Sequence, residues 1–190
     1  ALELGCGGME TAETHSMSME FFAWPYMEKF FGDRADDYRY MHALDAFSFL
    51  PYGTEVDAFQ HIVYENPDMT PAERNAAWLA LEKQFRPHIS MEGMPYLEEG
   101  TRWQYQMHIY ESPFYYIDYC LAQTAAFHFL LASQENYDDA FARYLRLSRQ
   151  GGEKVWTELL AEAGFPSPFE PGALKTLAGR VEHLLDKIRV

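Results

Sequence analysis

Apolar residues recur at helical spacing along most of the chain, and the two-residue alternation that marks strands is nearly absent. Tyr40, Phe47 and Leu50, for example, fall three or seven residues apart, and Pro51 with Gly53 predicts the end of their helix. This pattern predicts an all-α protein.

The first strongly apolar segment runs from about Thr11 to Phe31 and is apolar almost all round. Pro25 predicts a kink within it and Gly32 a stop. We therefore expect a buried helix pair or one bent helix in this segment.

Capping residues predict where several later helices begin. Thr54 is the expected N-cap of TEVDAFQHIVYE, and Thr70 with Glu73 predicts a capping box before the next helix. Ser112 followed by Pro113 predicts a further start. The stretches YDDAFARYLRLS, EKVWTELLAEAG and GALKTLAGRVEHLLDKI predict the remaining helices.

Composition narrows the class of protein. The 190 residues are 48% hydrophobic and 16% aromatic, which predicts one sizeable core and a single domain over residues 1–190. A formal net charge of −14 argues against nucleic acid and anionic membrane surfaces as partners. Cys6 and Cys120 lie far apart and form no disulfide framework, so we expect a reducing, cytoplasmic location.

Acidic residues stand among the apolar residues of the first segment. Glu13 and Glu20 are seven residues apart, so a helix projects both from about the same face, with Met17 between them. A buried carboxylate needs a metal, a cation or a histidine, because burying it alone costs several kcal/mol. The alternative is that this face is partly exposed and its glutamates are solvated.

A second group of polar side chains surrounds a predicted helix start. His108 precedes that helix, and Tyr115, Tyr116 and Tyr119 fall in its first two turns. An imidazole and tyrosine hydroxyls directed into one cleft can donate hydrogen bonds to a developing oxyanion. The alternative is that the aromatic rings are core residues and that the histidine is structural.

The sequence resembles a known family over nearly its whole length. The resemblance is carried by three long stretches in the same order as in that family: AETHSMSMEFFAWPYMEKFFG, LPYGTEVDAFQHIVYENPDMTPAER and HIYESPFYYIDYCLAQTAAFHF. They are similar to the C-terminal part of oligoendopeptidase F-type zinc metallopeptidases, which are relatives of thimet oligopeptidase. The resemblance implies the helical C-terminal part of a zincin-like catalytic domain.

The resemblance also implies a role for individual residues. The family takes two zinc-binding histidines and a general-base glutamate from an HExxH helix, and its third zinc ligand falls on Glu13. Zinc held in this way keeps an open position for water, whose pKa falls to about 7. The family's substrate-binding histidine falls on His108. Its YxxY pattern selects Tyr116 and Tyr119 as oxyanion donors, while helical phase with His108 favours Tyr115.

Spacing extends the expected zinc site beyond the ligand. Glu20 shares the helical face of Glu13, so we expect it to support the metal-bound histidines. The methionines around these glutamates are expected to pack into apolar walls that keep the site dry.

The chain departs from the family in one respect: it contains no HExxH. Two zinc ligands and the general base are therefore absent, and the isolated chain should not hydrolyse peptides. We expect the C-terminal part of a longer zinc endopeptidase that cleaves short peptides, with the missing N-terminal part as its partner. The alternative is a non-catalytic helical peptide-binding or scaffolding module without metal.

Overall fold

The structure is a computed structural model that describes residues 8–188, so Cys6 lies outside the described residues. The fold is all-α, as predicted, and residues 8–188 contain no strand. Within this range no helix combines the length and the hydrophobicity that crossing a membrane requires. The α-helices are α1 (Met9–Phe22), α2 (Glu28–Phe31), α3 (Ala35–Glu65), α4 (Pro71–Phe85), α5 (Pro95–Glu98), α6 (His108–Glu111), α7 (Tyr116–Glu135), α8 (Tyr137–Gln150), α9 (Trp156–Glu162) and α10 (Ala173–Ile188).

The first segment forms a pair of helices, as one of the two predicted alternatives, but only α1 has buried residues and α2 is exposed, so the expected burial holds in part. A short 3-10 helix, Trp24–Tyr26, separates α1 from α2 and contains Pro25. Helix α2 ends at Gly32, whose φ of 54° lies in the left-handed region that favours glycine.

The prediction that a helix ends at Pro51 and Gly53 is wrong, because α3 continues through both residues for 31 residues in all. Thr54, the expected N-cap, lies inside the helix, where its hydroxyl donates to the Leu50 carbonyl over 2.8 Å. Such a bond to the carbonyl four residues back is common where helices bend. Gly53 is required for close packing instead: a Cβ at this position would lie 2.2 Å from the Sγ of Cys120.

The capping box is confirmed. The backbone N–H of Glu73 donates to Thr70 Oγ1 over 3.3 Å, and the backbone N–H of Thr70 donates to Glu73 Oε2 over 2.7 Å. The start predicted at Ser112 and Pro113 is wrong, because Ser112 ends the short helix α6 and α7 begins at Tyr116.

The chain divides into two compact units, one of residues 1–47 and 121–190 and the other of residues 48–120. In the first unit, α1, α7, α8 and α9 share a core: Phe22, Ala125, Phe129, Ala140, Tyr144, Leu147, Trp156, Leu159, Leu160, Ala163 and Phe165. In the second unit, α3 and α4 pack on the segment that leads to α6: Val56, Phe59, Trp78, Leu81, Trp103 and Ile109.

We expect Gly53→Ala to lower the free energy of unfolding by about 1–3 kcal/mol, the usual cost of overpacking. The added methyl would collide with Cys120 Sγ and crowd the Phe49 ring at 3.2 Å. Urea denaturation measures the effect. Gly179→Ala is a matched control, because no atom lies within 4 Å of a Cβ added at this helical glycine. This variant should raise the free energy of unfolding by up to about 1 kcal/mol.

A double variant tests the cause of that loss. Replacing Cys120 by Ala removes the colliding sulfur, so Gly53→Ala should cost clearly less in the Cys120→Ala background. Equal costs in both backgrounds would show that the Gly53–Cys120 contact is not the reason for the glycine.

Candidate active site

Glu13 lies on α1 and is half-buried. The hydroxyl oxygen of Ser16, one turn later, is 3.0 Å from Glu13 Oε2 and 3.0 Å from the Glu13 carbonyl oxygen. The serine therefore helps to orient the carboxylate that the sequence selects as a metal ligand. Its role as a ligand stays a prediction.

Glu20 accepts a hydrogen bond from a histidine in the same unit. His42 Nε2 lies 2.9 Å from Glu20 Oε2, and Trp24 Nε1 lies 2.9 Å from His42 Nδ1. An indole N–H can only donate, so Nδ1 accepts, and the proton of the neutral imidazole is on Nε2, facing Glu20. The supporting role expected for Glu20 at a metal stays a prediction, but the structure gives this carboxylate a histidine partner that the sequence did not indicate.

Methionines do not form the buried face of α1: Met9 and Met19 are 42% and 43% exposed, and Met17 is half-buried. That face carries small polar side chains followed by two phenylalanines: Thr11, Thr14, Ser18, Phe21 and Phe22. Methionine packing around a metal site stays a prediction.

On the buried face of α1, Thr14 Oγ1 accepts from Trp156 Nε1 over 2.9 Å and donates to the Glu10 carbonyl over 2.7 Å. Thr14 is satisfied in this way, whereas the buried hydroxyls of Thr11 and Ser18 have no hydrogen-bond partner among the described residues.

In the second unit, His108 and the three candidate tyrosines form one aromatic cluster. The ring centroid of His108 lies 4.8 Å from that of Tyr116, 5.7 Å from Tyr119 and 6.0 Å from Tyr115. Tyr119 contacts both of the other tyrosines, with centroid distances of 5.0 and 5.5 Å. The structure thus brings these four sequence-predicted residues together, and contact with His108 does not separate Tyr115 from the other two.

Burial raises the pKa of Tyr116 far above its ordinary value of 10, because the charged phenolate would lose its hydration. Its ring also packs against Phe49 and Tyr52. The hydroxyl of Tyr116 therefore keeps its proton throughout the neutral range and can act as a hydrogen-bond donor.

A strained turn brings the tyrosines to His108. Phe114 has a φ of 62°, the only positive φ of a non-glycine residue within residues 8–188. Its backbone N–H donates to Oε1 of the fully buried Gln60 over 2.8 Å, and its ring packs on His61 and Tyr64. These contacts compensate the backbone strain, so that α7 begins at Tyr116 rather than at the predicted Pro113.

His108 is also connected to a chain of hydrogen bonds. Gln106 Nε2 lies 2.7 Å from His108 Nδ1, and the Tyr52 hydroxyl donates to Gln106 Oε1 over 2.9 Å. The guanidinium carbons of Arg86 and Arg102 lie 4.9 and 5.1 Å from the centroid of the Tyr52 ring. Two cations therefore hold the Tyr52 ring, from which this series of hydrogen bonds begins.

A buried ion group holds Arg86 in turn. Arg86 Nε donates to Glu55 Oε2 over 2.8 Å, and its Nη2 donates to Glu82 Oε1. Glu55 is 0% exposed and the other two residues are also buried, so two carboxylates share one buried guanidinium. Loss of hydration raises the pKa of Glu55 to about 7, against the opposing charge of Arg86.

Comparison with known proteins places the chain in a family. The family model for peptidase family M3 matches residues 7–179. The chain belongs to peptidase family M3. Among curated proteins, none matches it.

Solved structures of M3-like peptidases resemble this chain closely. A structure of PZ peptidase A with an inhibitor is 50% identical, with a TM-score of 0.93, and a protein assigned as an oligoendopeptidase F is 51% identical, with a TM-score of 0.93. A protein from Bacillus anthracis str. Ames with the same assignment is 41% identical, with a TM-score of 0.81. The matches cover 97% of this chain but 33%, 33% and 30% of the respective structures, so the M3 chain spans about a third of their length.

The described part of the M3 chain has no complete metal site of its own. Within residues 8–188, no group of three or more His, Cys, Asp or Glu side chains could hold a metal ion. A carboxylate such as Glu13 suits zinc as one oxygen ligand. Further ligands would have to come from outside these residues.

Four residues connected to His108 could not be selected from the sequence: Gln106, Tyr52, Arg86 and Glu55. The sequence shows Glu82 and Arg86 at a helical spacing of four, which predicts an ion pair. Nothing in the sequence connects this pair to Glu55 or to His108.

We expect the free energy of unfolding of the M3 chain to fall by up to about 3 kcal/mol as the pH rises from 4.5 to about 7, because the pKa of Glu55 is higher in the folded protein. Over this range the folded protein keeps a proton on Glu55 that the unfolded chain, with its ordinary pKa of 4.5, has lost. The loss therefore grows as the pH rises. Urea denaturation of Glu55→Gln across this range should show a flatter pH dependence than the wild type, because Gln stays neutral and can still accept from Arg86.

Glu99→Gln, at an exposed position of the same unit, is the control and should keep the wild-type pH dependence. If Glu55→Gln shows the wild-type fall as well, the proton is held by another group and the assignment to Glu55 is wrong.

Proposed function

We propose that the chain is part of a zinc-dependent endopeptidase that hydrolyses short peptides. The observation that carries this proposal is the M3 match over residues 7–179, since it includes Glu13, His108 and the tyrosines. In this reading the chain supplies one zinc ligand and the groups that bind the substrate carbonyl. The missing N-terminal part supplies the rest.

Glu13 is the residue of this chain that would hold the metal. Ser16 fixes one oxygen of its carboxylate at 3.0 Å, which limits the rotation of the side chain before a metal binds. Zinc, when bound, activates a water molecule for attack on a peptide carbonyl.

His108, Tyr116 and Tyr119 would stabilise the negative charge that develops on the substrate oxygen. Contacts between the rings hold the cluster in place, so that little reorganisation is needed during the reaction. The proton retained by Tyr116 suits this role, because only a protonated hydroxyl can donate. Tyr115 is an alternative donor, since its ring belongs to the same cluster.

We expect Glu13→Gln in the full-length protein to abolish stoichiometric zinc binding and peptide cleavage. The amide has no charge to offer the metal. Zinc content by atomic absorption, together with cleavage of a fluorogenic peptide, measures both. Glu10→Gln changes another glutamate of α1 and should leave both unchanged.

The metal content of the 190-residue chain adds a second measurement. It should be near zero for the chain alone and stoichiometric for the complete protein. Stoichiometric zinc in this chain alone, or normal cleavage by Glu13→Gln, would contradict the ligand assignment.

We expect Tyr116→Phe and Tyr119→Phe in the full-length protein each to lower kcat by about 100-fold or more, the usual effect of removing an oxyanion donor. The thermal midpoint should shift little, because each ring keeps its packing. Tyr105→Phe, which changes a 75% exposed tyrosine, is the control and should keep wild-type activity. A large loss confined to Tyr115→Phe would transfer the role to Tyr115.

A further inference from the structure

The hydrogen bonds that reach His108 have a direction. Gln106 lies between the 3-10 helix Arg102–Tyr105 and α6, and its side-chain amide connects Tyr52 to His108. An amide has one donor end and one acceptor end. Whichever end faces Tyr52, the other faces the imidazole.

The hydrogen bond from Tyr52 determines which end of the amide faces it. The guanidinium carbons of Arg86 and Arg102 lie 4.9 and 5.1 Å from the centroid of the Tyr52 ring and hold the ring in place. The O–H of Tyr52 donates to Gln106 Oε1 over 2.9 Å, so the acceptor end of the amide faces Tyr52. Gln106 Nε2 then points to His108 Nδ1 at 2.7 Å as a donor.

We propose that Gln106 is a positioning residue that holds His108 in the tautomer whose proton is on Nε2. Nδ1 accepts the bond from Gln106, so the proton of the neutral imidazole must be on the other ring nitrogen. The buried group of Glu55, Arg86 and Glu82 contacts the Tyr52 ring through Arg86, and the hydroxyl of that ring donates to the amide.

The catalytic meaning of this tautomer rests on the proposed function, whereas the tautomer itself does not. An Nε2–H can donate to a substrate carbonyl or an oxyanion, but the opposite tautomer presents a lone pair on Nε2 that would repel it. Gln106 thereby determines whether His108 can stabilise the negative charge.

The test measures the tautomer directly in the 190-residue chain. Long-range 1H–15N correlation spectra distinguish protonated from unprotonated ring nitrogens of His108. We expect Nε2–H to predominate in the wild type. Gln106→Glu should favour Nδ1–H or the doubly protonated ring, because a carboxylate only accepts. Gln106→Met should give a mixture, and Tyr52→Phe, which frees the amide to rotate, should move the tautomer ratio by about tenfold, the value of one hydrogen bond.

The chain contains a matched control for this change. Tyr96 donates to Gln104 Oε1 over 2.8 Å, so an equivalent tyrosine–glutamine bond lies two residues from Gln106. Gln104→Glu and Tyr96→Phe should leave the signals of His108 unchanged. Retained dispersion of the amide spectrum shows that each variant is folded.

The outcomes separate the tautomer from the proposed function. A wild-type ring with its proton on Nδ1, or a Gln106→Glu ring unchanged from the wild type, overturns the proposal. In the full-length protein Gln106→Glu should lower kcat about tenfold or more with little change in KM, and an unchanged kcat would overturn the positioning role. If the wild-type protein cleaves no peptide, the proposed function fails, while the spectra still decide the tautomer.

Discussion

The arrangement around His108 depends on a buried guanidinium shared by two carboxylates. Burying an ion pair costs several kcal/mol per ion, and the mutual attraction compensates this only when the geometry is good. Arg86 meets part of the requirement by bonding to one oxygen each of Glu55 and Glu82 while its face lies over Tyr52. The other oxygens, Glu55 Oε1 and Glu82 Oε2, are buried without a hydrogen-bond partner among the described residues. Loss of hydration is the main reason why the pKa of Glu55 rises to about 7, and the nearby charge of Glu82 raises it further, against the attraction of Arg86.

The ion group also fixes geometry. It joins the middle of α3 to the end of α4, and through Tyr52 it fixes the segment that begins at Arg102. A hydrophobic pair of similar volume could pack these helices as well, and often with greater stability. It would not place a guanidinium over the ring of Tyr52, whose hydroxyl donates to Gln106. The buried charges therefore help to fix the position of the ring from which the hydrogen bonds to His108 begin.

Local signals in the sequence predict the fold well where the cause is local. The capping box of Thr70 and Glu73 involves residues three apart, and the structure confirms it. The wrong predictions have distant causes. Gly53 is needed because Cys120, on another helix, leaves no room for a Cβ. The start of α7 differs because Phe114 N–H donates to Gln60, which lies 54 residues earlier. Pro51 and Pro113 gave strong local signals, but tertiary contacts outweighed them.

The same distinction applies to the candidate site. The resemblance selects Glu13, His108 and the tyrosines, and the structure brings the last four together. The supporting groups could not be predicted, because Tyr52 and Gln106 are 54 residues apart and Glu55 and Arg86 are 31 apart, without any pattern that connects them. Conversely, the sequence drew attention to the methionines of α1, whereas on the buried face the Thr14 hydroxyl donates to a helix carbonyl and accepts from an indole N–H.

The aromatic cluster of His108 and the three tyrosines favours hydrogen-bond donors that carry no charge. In a chain with a net charge of −14, a cationic donor would be drawn into ion pairs, as Arg86 is. The hydroxyl of Tyr116, whose pKa is raised by burial, remains a donor without becoming an ionic partner of surrounding carboxylates. Such groups stabilise a developing negative charge by oriented dipoles rather than by net charge, and dipoles act only when their direction is fixed. The buried ion group beneath Tyr52 bears on this requirement, because it holds the ring whose hydroxyl donates to Gln106.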